Sequence, residues 1–187
     1  MRSLILASQS PRRSELLTAA GIPFTVRVRP VREIRETDEP PDDYVRRLAW
    51  TKASASWADG GQRRDEIVLG ADTVVVLDQQ VLEKPRDAED ARRMLMLLSG
   101  REHIVMTGIC LTHADGTIVD NVSTTVRFLS LSAEEIDAYV ASGEPMDKAG
   151  AYGIQGLASK FVESIDGCFF NVVGLPVSRV YRYLQTL

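Results

Sequence analysis

Short apolar runs alternate along the chain with segments whose apolar residues recur every three to four positions, so strands and helices should alternate too. Ser3 to Ala7 predicts a buried strand, and Ser10-Pro11 starts a helix through about Ala20, ended by Gly21 and Pro23. Phe24 to Val28 alternates like a strand, and the charged, proline-rich stretch 30–43 reads as a loop. Asp43 to Trp57 has helical spacing, with Val45, Leu48, Ala49 and Lys52-Ala53 recurring on one face, and the polar stretch Asp59 to Asp65 is a surface loop. Ile67 to Leu77 is the most strand-like segment, with a short return strand at Val81-Leu82. Asp87 caps a helix to Leu98, closed by Ser99-Gly100. Ile104 to Thr112 and Thr117 to Leu129 form a pair of strands joined by the turn residues Ala114-Asp115-Gly116. Ser132 and Glu135 make a capping box for a helix ending near Gly143. Gly150, Gly153 and Gly156 punctuate a loop, Phe161 to Val173 predicts more strand, and Pro176 opens the last helix. With no internal repeat, this pattern predicts an α/β fold built on a mixed sheet.

Composition narrows the choice of ligand. The 187 residues fit a single domain over 1–187, and 44% hydrophobic with 26% charged residues is ordinary for a globular protein. A net charge of −4 gives no basic field for a nucleic-acid polymer, so an anionic ligand must be small and held by local cations. Cys110 and Cys168 sit among apolar neighbours, and neither they nor His103 and His113 form a metal-like cluster. They read as reduced thiols rather than a disulfide or zinc site. The apolar run near the N-terminus is too short for a signal peptide or membrane span, and the C-terminal Gln185-Thr186-Leu187 carries no lipidation signature. A cytoplasmic protein is expected.

Three segments carry candidate chemistry. In Ala7-Ser8-Gln9-Ser10-Pro11-Arg12-Arg13, Ser10 stands at the N-cap and Pro11 at the first helical position, which puts two arginines where a helix end is already partly positive. A bound phosphate reverses that penalty, with Ser8 and Ser10 hydroxyls as further donors. The other reading has both arginines in solvent or paired with Glu15 or Glu33. In the apolar strand Val68 to Leu77, Asp72 is a carboxylate that needs a cation, a metal or several N–H donors, so it is either a general base or metal ligand or a structural acid. Lys52, on an apolar helix face, and Lys84, before Pro85, suit a polyphosphate, while Glu33 and Asp72 suit Mg²⁺ or Mn²⁺. Taken alone, each of Lys52, Lys84 and Glu33 reads better as a solvated side chain, and only together do they suggest a site. In Gly143 to Gly156, Tyr152 offers a ring for stacking and Gln155 a donor and an acceptor for a base edge, or the segment is a plain structural loop.

Taken in order, Leu6-Ala7-Ser8-Gln9-Ser10-Pro11-Arg12-Arg13, Gly70-Ala71-Asp72-Thr73, Glu83-Lys84-Pro85, Asp147 to Gly156 and Asn171-Val172-Val173-Gly174-Leu175-Pro176 resemble the successive motifs of Maf proteins. The resemblance implies a mixed α/β fold with two lobes around a central cleft, akin to inosine triphosphate pyrophosphatases. It also implies metal-dependent cleavage of a nucleoside triphosphate to the monophosphate and pyrophosphate, with Asp72 as proton acceptor. Arg13, Thr73 and Gln155 fall at positions associated with substrate specificity. The Ala-Tyr-Gly-Ile-Gln-Gly form resembles the branch acting on dTTP and UTP, and a homodimer is plausible by the same resemblance. The alternatives are a non-catalytic nucleotide-binding regulator of cell division and a pyrophosphatase of other specificity, such as 7-methyl-GTP.

Overall fold

The computed structural model describes residues 2–187. In chain order the elements are β1 (Ser3–Leu6), α1 (Pro11–Ala19), β2 (Phe24–Val26), α2 (Pro41–Asp59), β3 (Glu66–Leu77), β4 (Gln80–Leu82) and α3 (Ala88–Leu98). They continue with β5 (Glu102–His113), β6 (Gly116–Phe128), α4 (Ala133–Ala141), β7 (Val162–Asp166), α5 (Phe169–Val173) and α6 (Val177–Leu184). The strands form one mixed sheet in the order β2-β1-β3-β5-β6-β7, with β4 paired to the end of β3. β1 runs parallel to β2 and β3, whereas β4 is antiparallel to β3 and β7 to β6. Among the described residues no helix is long and apolar enough to cross a membrane.

The chain divides into two compact units. The first holds Met1–Thr73, Thr107–Val122 and Gly174–Leu187, and the second holds Val74–Met106 and Ser123–Val173. β3 therefore passes from one unit to the other directly after Asp72 and Thr73.

In the first unit α2 lies directly on strand backbone. Its buried face carries Tyr44, Val45, Leu48, Ala49 and Ala53, and Asp42 and Asp43 in its first turn complement the positive helix start. Ile5, Ala7, Ala49, Ala53, Val68 and Cys110 pack together beneath Trp57. The close approach depends on two strand glycines. A Cβ on Gly70 would lie 2.2 Å from the carbonyl oxygen of Ala49, and one on Gly108 would lie 2.2 Å from that of Val45. Backbone cannot swing aside as a side chain does, so Gly108→Ala must displace the helix. The expected cost is about 2 kcal/mol, read as a lower urea midpoint with an unchanged slope. A stability equal to the parent's would mean that α2 is not held against this strand.

The second unit holds α3 and α4 with an aromatic cluster. Asp87 caps α3 by accepting from Asp90 N–H at 2.8 Å, and Ser132 and Glu135 form the expected capping box on α4. Two expectations need correction. Phe161 to Val173 is strand only over Val162–Asp166, after which Phe169–Val173 turns into α5. Gly167, at φ 127°, breaks the run, and the buried Asn171 amide donates to Val105 O at 2.9 Å and Thr124 Oγ1 at 3.0 Å. A short apolar run carries no periodicity to tell these states apart. The glycine-rich segment Gly143 to Gly156, expected as a loop, contains two 3-10 turns, Glu144–Asp147 and Ala149–Ala151, and a third, Leu157–Phe161, follows it.

Candidate active site

The first unit gathers most of the expected residues. After β1, Ala7 N–H still bonds Leu69 O at 2.8 Å, so the turn into α1 leaves from the sheet next to β3. Ser8 is buried there, and its hydroxyl accepts from Ser10 N–H at 3.3 Å. Ser10 occupies the N-cap position and Pro11 the first helical one, but the Ser10 hydroxyl makes no capping bond. That hydroxyl is not spent on the helix.

The two arginines part company. Arg12 is half-buried, while Arg13 is only 8% exposed and turns inward. Arg13 Nε donates to Gly174 O at 2.8 Å, Nη1 to Ser8 Oγ and Ala71 O at 2.9 Å each, and Nη2 to Thr73 Oγ1 at 3.0 Å. The sequence reading put Arg13 on a bound phosphate beside Arg12. Its donors are instead largely taken by the protein, because four acceptors from three chain segments converge around it. Burial lowers its pKa, opposed by the charge of Asp72 and, more weakly, Glu33. Thr73 Oγ1 also shares a 2.9 Å hydrogen bond with Thr107 Oγ1 and donates to Gly174 O at 3.4 Å.

Asp72 sits inside this frame, 7% exposed. Its Oδ1 accepts from Lys52 Nζ at 2.6 Å, and the same ammonium lies 3.1 Å from Glu33 Oε2. A structural acid satisfied by loop amides is thus not what is found. Nor is Lys52 a solvated lysine, for its neighbours Ala49 and Ala53 are buried and its tip is held between two carboxylates. Burial pushes the Asp72 carboxyl above its ordinary range, against the pull of Lys52 and then Arg13, and Glu33 adds to the rise. The site holds a base that burial makes hard to ionise, next to a cation that favours its ionised form.

The donor set also bears on a metal. Among the described residues no group of three His, Cys, Asp or Glu side chains could hold an ion. An all-protein metal cage does not fit. Two carboxylates facing one cationic tip do fit Mg²⁺ or Mn²⁺, which take one or two carboxylates and fill the remaining positions with substrate phosphates and water.

Lys84 and Gln155 belong to the second unit, and both are exposed. Lys84 follows β4, and Gln155 stands in the turn Gly153 to Gly156, closed by Gly156 N–H on Gly153 O at 3.1 Å. Tyr152 is not available to stack on a ligand. It is 5% exposed, edge-on to Phe128 at 4.7 Å between ring centres, with its hydroxyl 2.8 Å from His103 Nε2. Burial lowers the pKa of that histidine to about 4, so the pair is neutral core.

Sequence reasoning missed Thr107 and Gly174. Thr107 is fully buried in a strand and touches Thr73, so the argument that singled out Asp72, a polar group inside an apolar strand, applies to it equally. Gly174 stands in a motif already noticed but contributes a backbone carbonyl, which no side-chain pattern reveals.

Comparison with known proteins agrees with this frame. A family described as Maf-like protein matches residues 3–187. A dTTP/UTP pyrophosphatase of Koribacter versatilis (strain Ellin345) is 51% identical over 182 residues, covering 97% of this chain and 93% of the relative. Another from Bacillus cereus (strain AH820) is 50% identical over 185 residues, covering 99% of this chain and 95% of the relative. The Staphylococcus aureus Ham1 protein shares the fold, with a TM-score of 0.52 at 11% identity and 99% of each chain covered. The motifs noticed in the sequence therefore lie within a match that runs nearly end to end at about half identity, and the chain belongs to the Maf family.

Proposed function

We propose that this protein hydrolyses dTTP and UTP to the nucleoside monophosphate and pyrophosphate. The observation that carries the reading is Asp72. It is a carboxylate buried in an apolar strand and held by Lys52 at 2.6 Å, in a chain half identical over nearly its whole length to enzymes named dTTP/UTP pyrophosphatase.

Asp72 takes the proton of the water that attacks the α-phosphorus, and the bond from that phosphorus to the bridging oxygen breaks as pyrophosphate leaves. A carboxyl raised by burial is a stronger base than an exposed one, and the Lys52 ammonium favours its deprotonated form. Lys52, Ser8, Ser10 and Arg12 supply donors for phosphate oxygens as charge moves to the leaving group. Arg13 serves indirectly, fixing Thr73 and the backbone of Ala71 on either side of Asp72. Glu33 and Asp72 are the groups that would hold a divalent ion, whose chemistry is to neutralise phosphate charge. The roles of Lys84 in phosphate binding and of Thr73 and Gln155 in base selection rest on the motifs, Gln155 offering the donor and acceptor that a pyrimidine edge requires. A cytoplasmic setting suits the buried, unpaired Cys110.

The test is pyrophosphate release from a panel of dTTP, UTP, CTP, dITP and 7-methyl-GTP with Mg²⁺ or Mn²⁺. Pyrophosphate from dTTP and UTP above the others, lost on chelation with EDTA, is the expected result. Orthophosphate as the product, or preference for 7-methyl-GTP, overturns the reading. Nucleotide binding with no turnover on any member replaces it by a binding role.

A further inference from the structure

We propose that Glu144 is a positioning residue for base selectivity, acting through the turn that carries Gln155. The proposal rests on the reading of Gln155 as the base-selecting residue. Gly153 N–H, on the entering side, donates to the Tyr139 hydroxyl at 3.3 Å, and that hydroxyl donates to Glu144 Oε1 at 2.9 Å. On the leaving side Leu157 N–H donates to Glu144 Oε2 at 3.0 Å. One carboxylate therefore holds both ends of the turn, each oxygen serving one end, with Gln155 exposed between them.

The surrounding glycines are explained by the same contact. A Cβ on Gly156 would lie 2.3 Å from Glu144 Oε1, and one on Gly153 would lie 2.6 Å from Lys148 Cε. The Lys148 ammonium in turn donates to the Glu144 carbonyl at 2.6 Å, fixing the backbone from which the carboxylate reaches. The glycines of the segment let the turn close down on Glu144 and Lys148, and Gln155 inherits its position from that closure. Glu144 touches no reacting atom. Its effect is on where an amide side chain is presented.

Glu144→Gln tests this with little change of shape, because an amide keeps one acceptor but turns an NH₂ toward the other donor, so one end of the turn is released. The experiment measures kcat/KM for UTP and for GTP in the parent, E144Q, Q155A and the double variant, with Tyr139→Phe as a second route to release the entering end. The expected result is a fall of roughly tenfold in the UTP preference for E144Q, the weight of about one charge-assisted hydrogen bond, and a fall for Y139F as well. In the Q155A background E144Q should add nothing, which a merely structural residue would not reproduce. Unchanged selectivity in E144Q beside altered selectivity in Q155A overturns the proposal and leaves the reading of Gln155 standing. Unchanged selectivity in Q155A overturns both.

Discussion

Asp72→Asn is expected to lower kcat for dTTP and UTP by on the order of a hundredfold or more, while nucleotide binding persists. Asparagine has the size of aspartate and keeps an oxygen that can accept from Lys52, so the 2.6 Å contact has a substitute. What it loses is the capacity to take a proton from water. Removing the negative charge also relieves the burial that raises the carboxyl's pKa, but it leaves Arg13 and Lys52 without their nearer counter-charge, although Glu33 still faces Lys52 at 3.1 Å. These effects oppose each other, so the variant should fold. Single-turnover rates, with binding of a non-hydrolysable dTTP analogue measured separately, distinguish the outcomes. Turnover near the parent's would take Asp72 out of the chemistry. Loss of binding together with turnover would make it a structural acid whose pairing with Lys52 shapes the pocket.

Much of this site was legible because burial makes polar groups conspicuous. Asp72 stands out within Val68 to Leu77 whatever the fold, and Lys52 stands out on the helix face that also carries Leu48 and Ala49. Their pairing was not legible. It joins positions 20 apart through the packing of α2 on β3, which depends on Gly70 admitting the Ala49 carbonyl. Helix starts were read well at Asp87 and Ser132, where the signal is a side chain bonding its own neighbourhood. Phe169–Val173 was read wrongly because the bonds of Asn171 to Val105 and Thr124 that anchor it are long-range. Arg12 and Arg13 are the sharpest case. Adjacent, identical residues at a helix start look equivalent in sequence, yet helical geometry turns them about 100° apart. One points into the protein, and its role is decided by carbonyls that no sequence pattern marks.

That difference makes Arg13→Met the most informative stability experiment. Methionine fills similar space and carries no donor, so the carbonyls of Ala71 and Gly174 lose their Arg13 bonds inside the protein. The hydroxyls of Ser8 and Thr73 can turn to other partners, and Thr107 is already within 2.9 Å of Thr73. Gly174 O keeps the longer bond from Thr73 at 3.4 Å, whereas a buried acceptor left unpaired costs about 1–3 kcal/mol. Part of that is offset because the variant no longer buries a charge, which burial already disfavours at this position. A net loss of about 2 kcal/mol is expected, or roughly 4–8 °C in Tm for a chain of this size. Arg13→Lys should recover only part of it, since a single ammonium cannot reach acceptors spread around a planar guanidinium. The competing role gives the opposite pattern. If Arg13 mainly gripped a phosphate, R13M would raise KM and leave Tm nearly unchanged, because the folded protein without nucleotide would lose nothing. A large fall in Tm measured without nucleotide would place the residue in the frame around Asp72, and any change in selectivity would then follow from Thr73, the hydroxyl it holds.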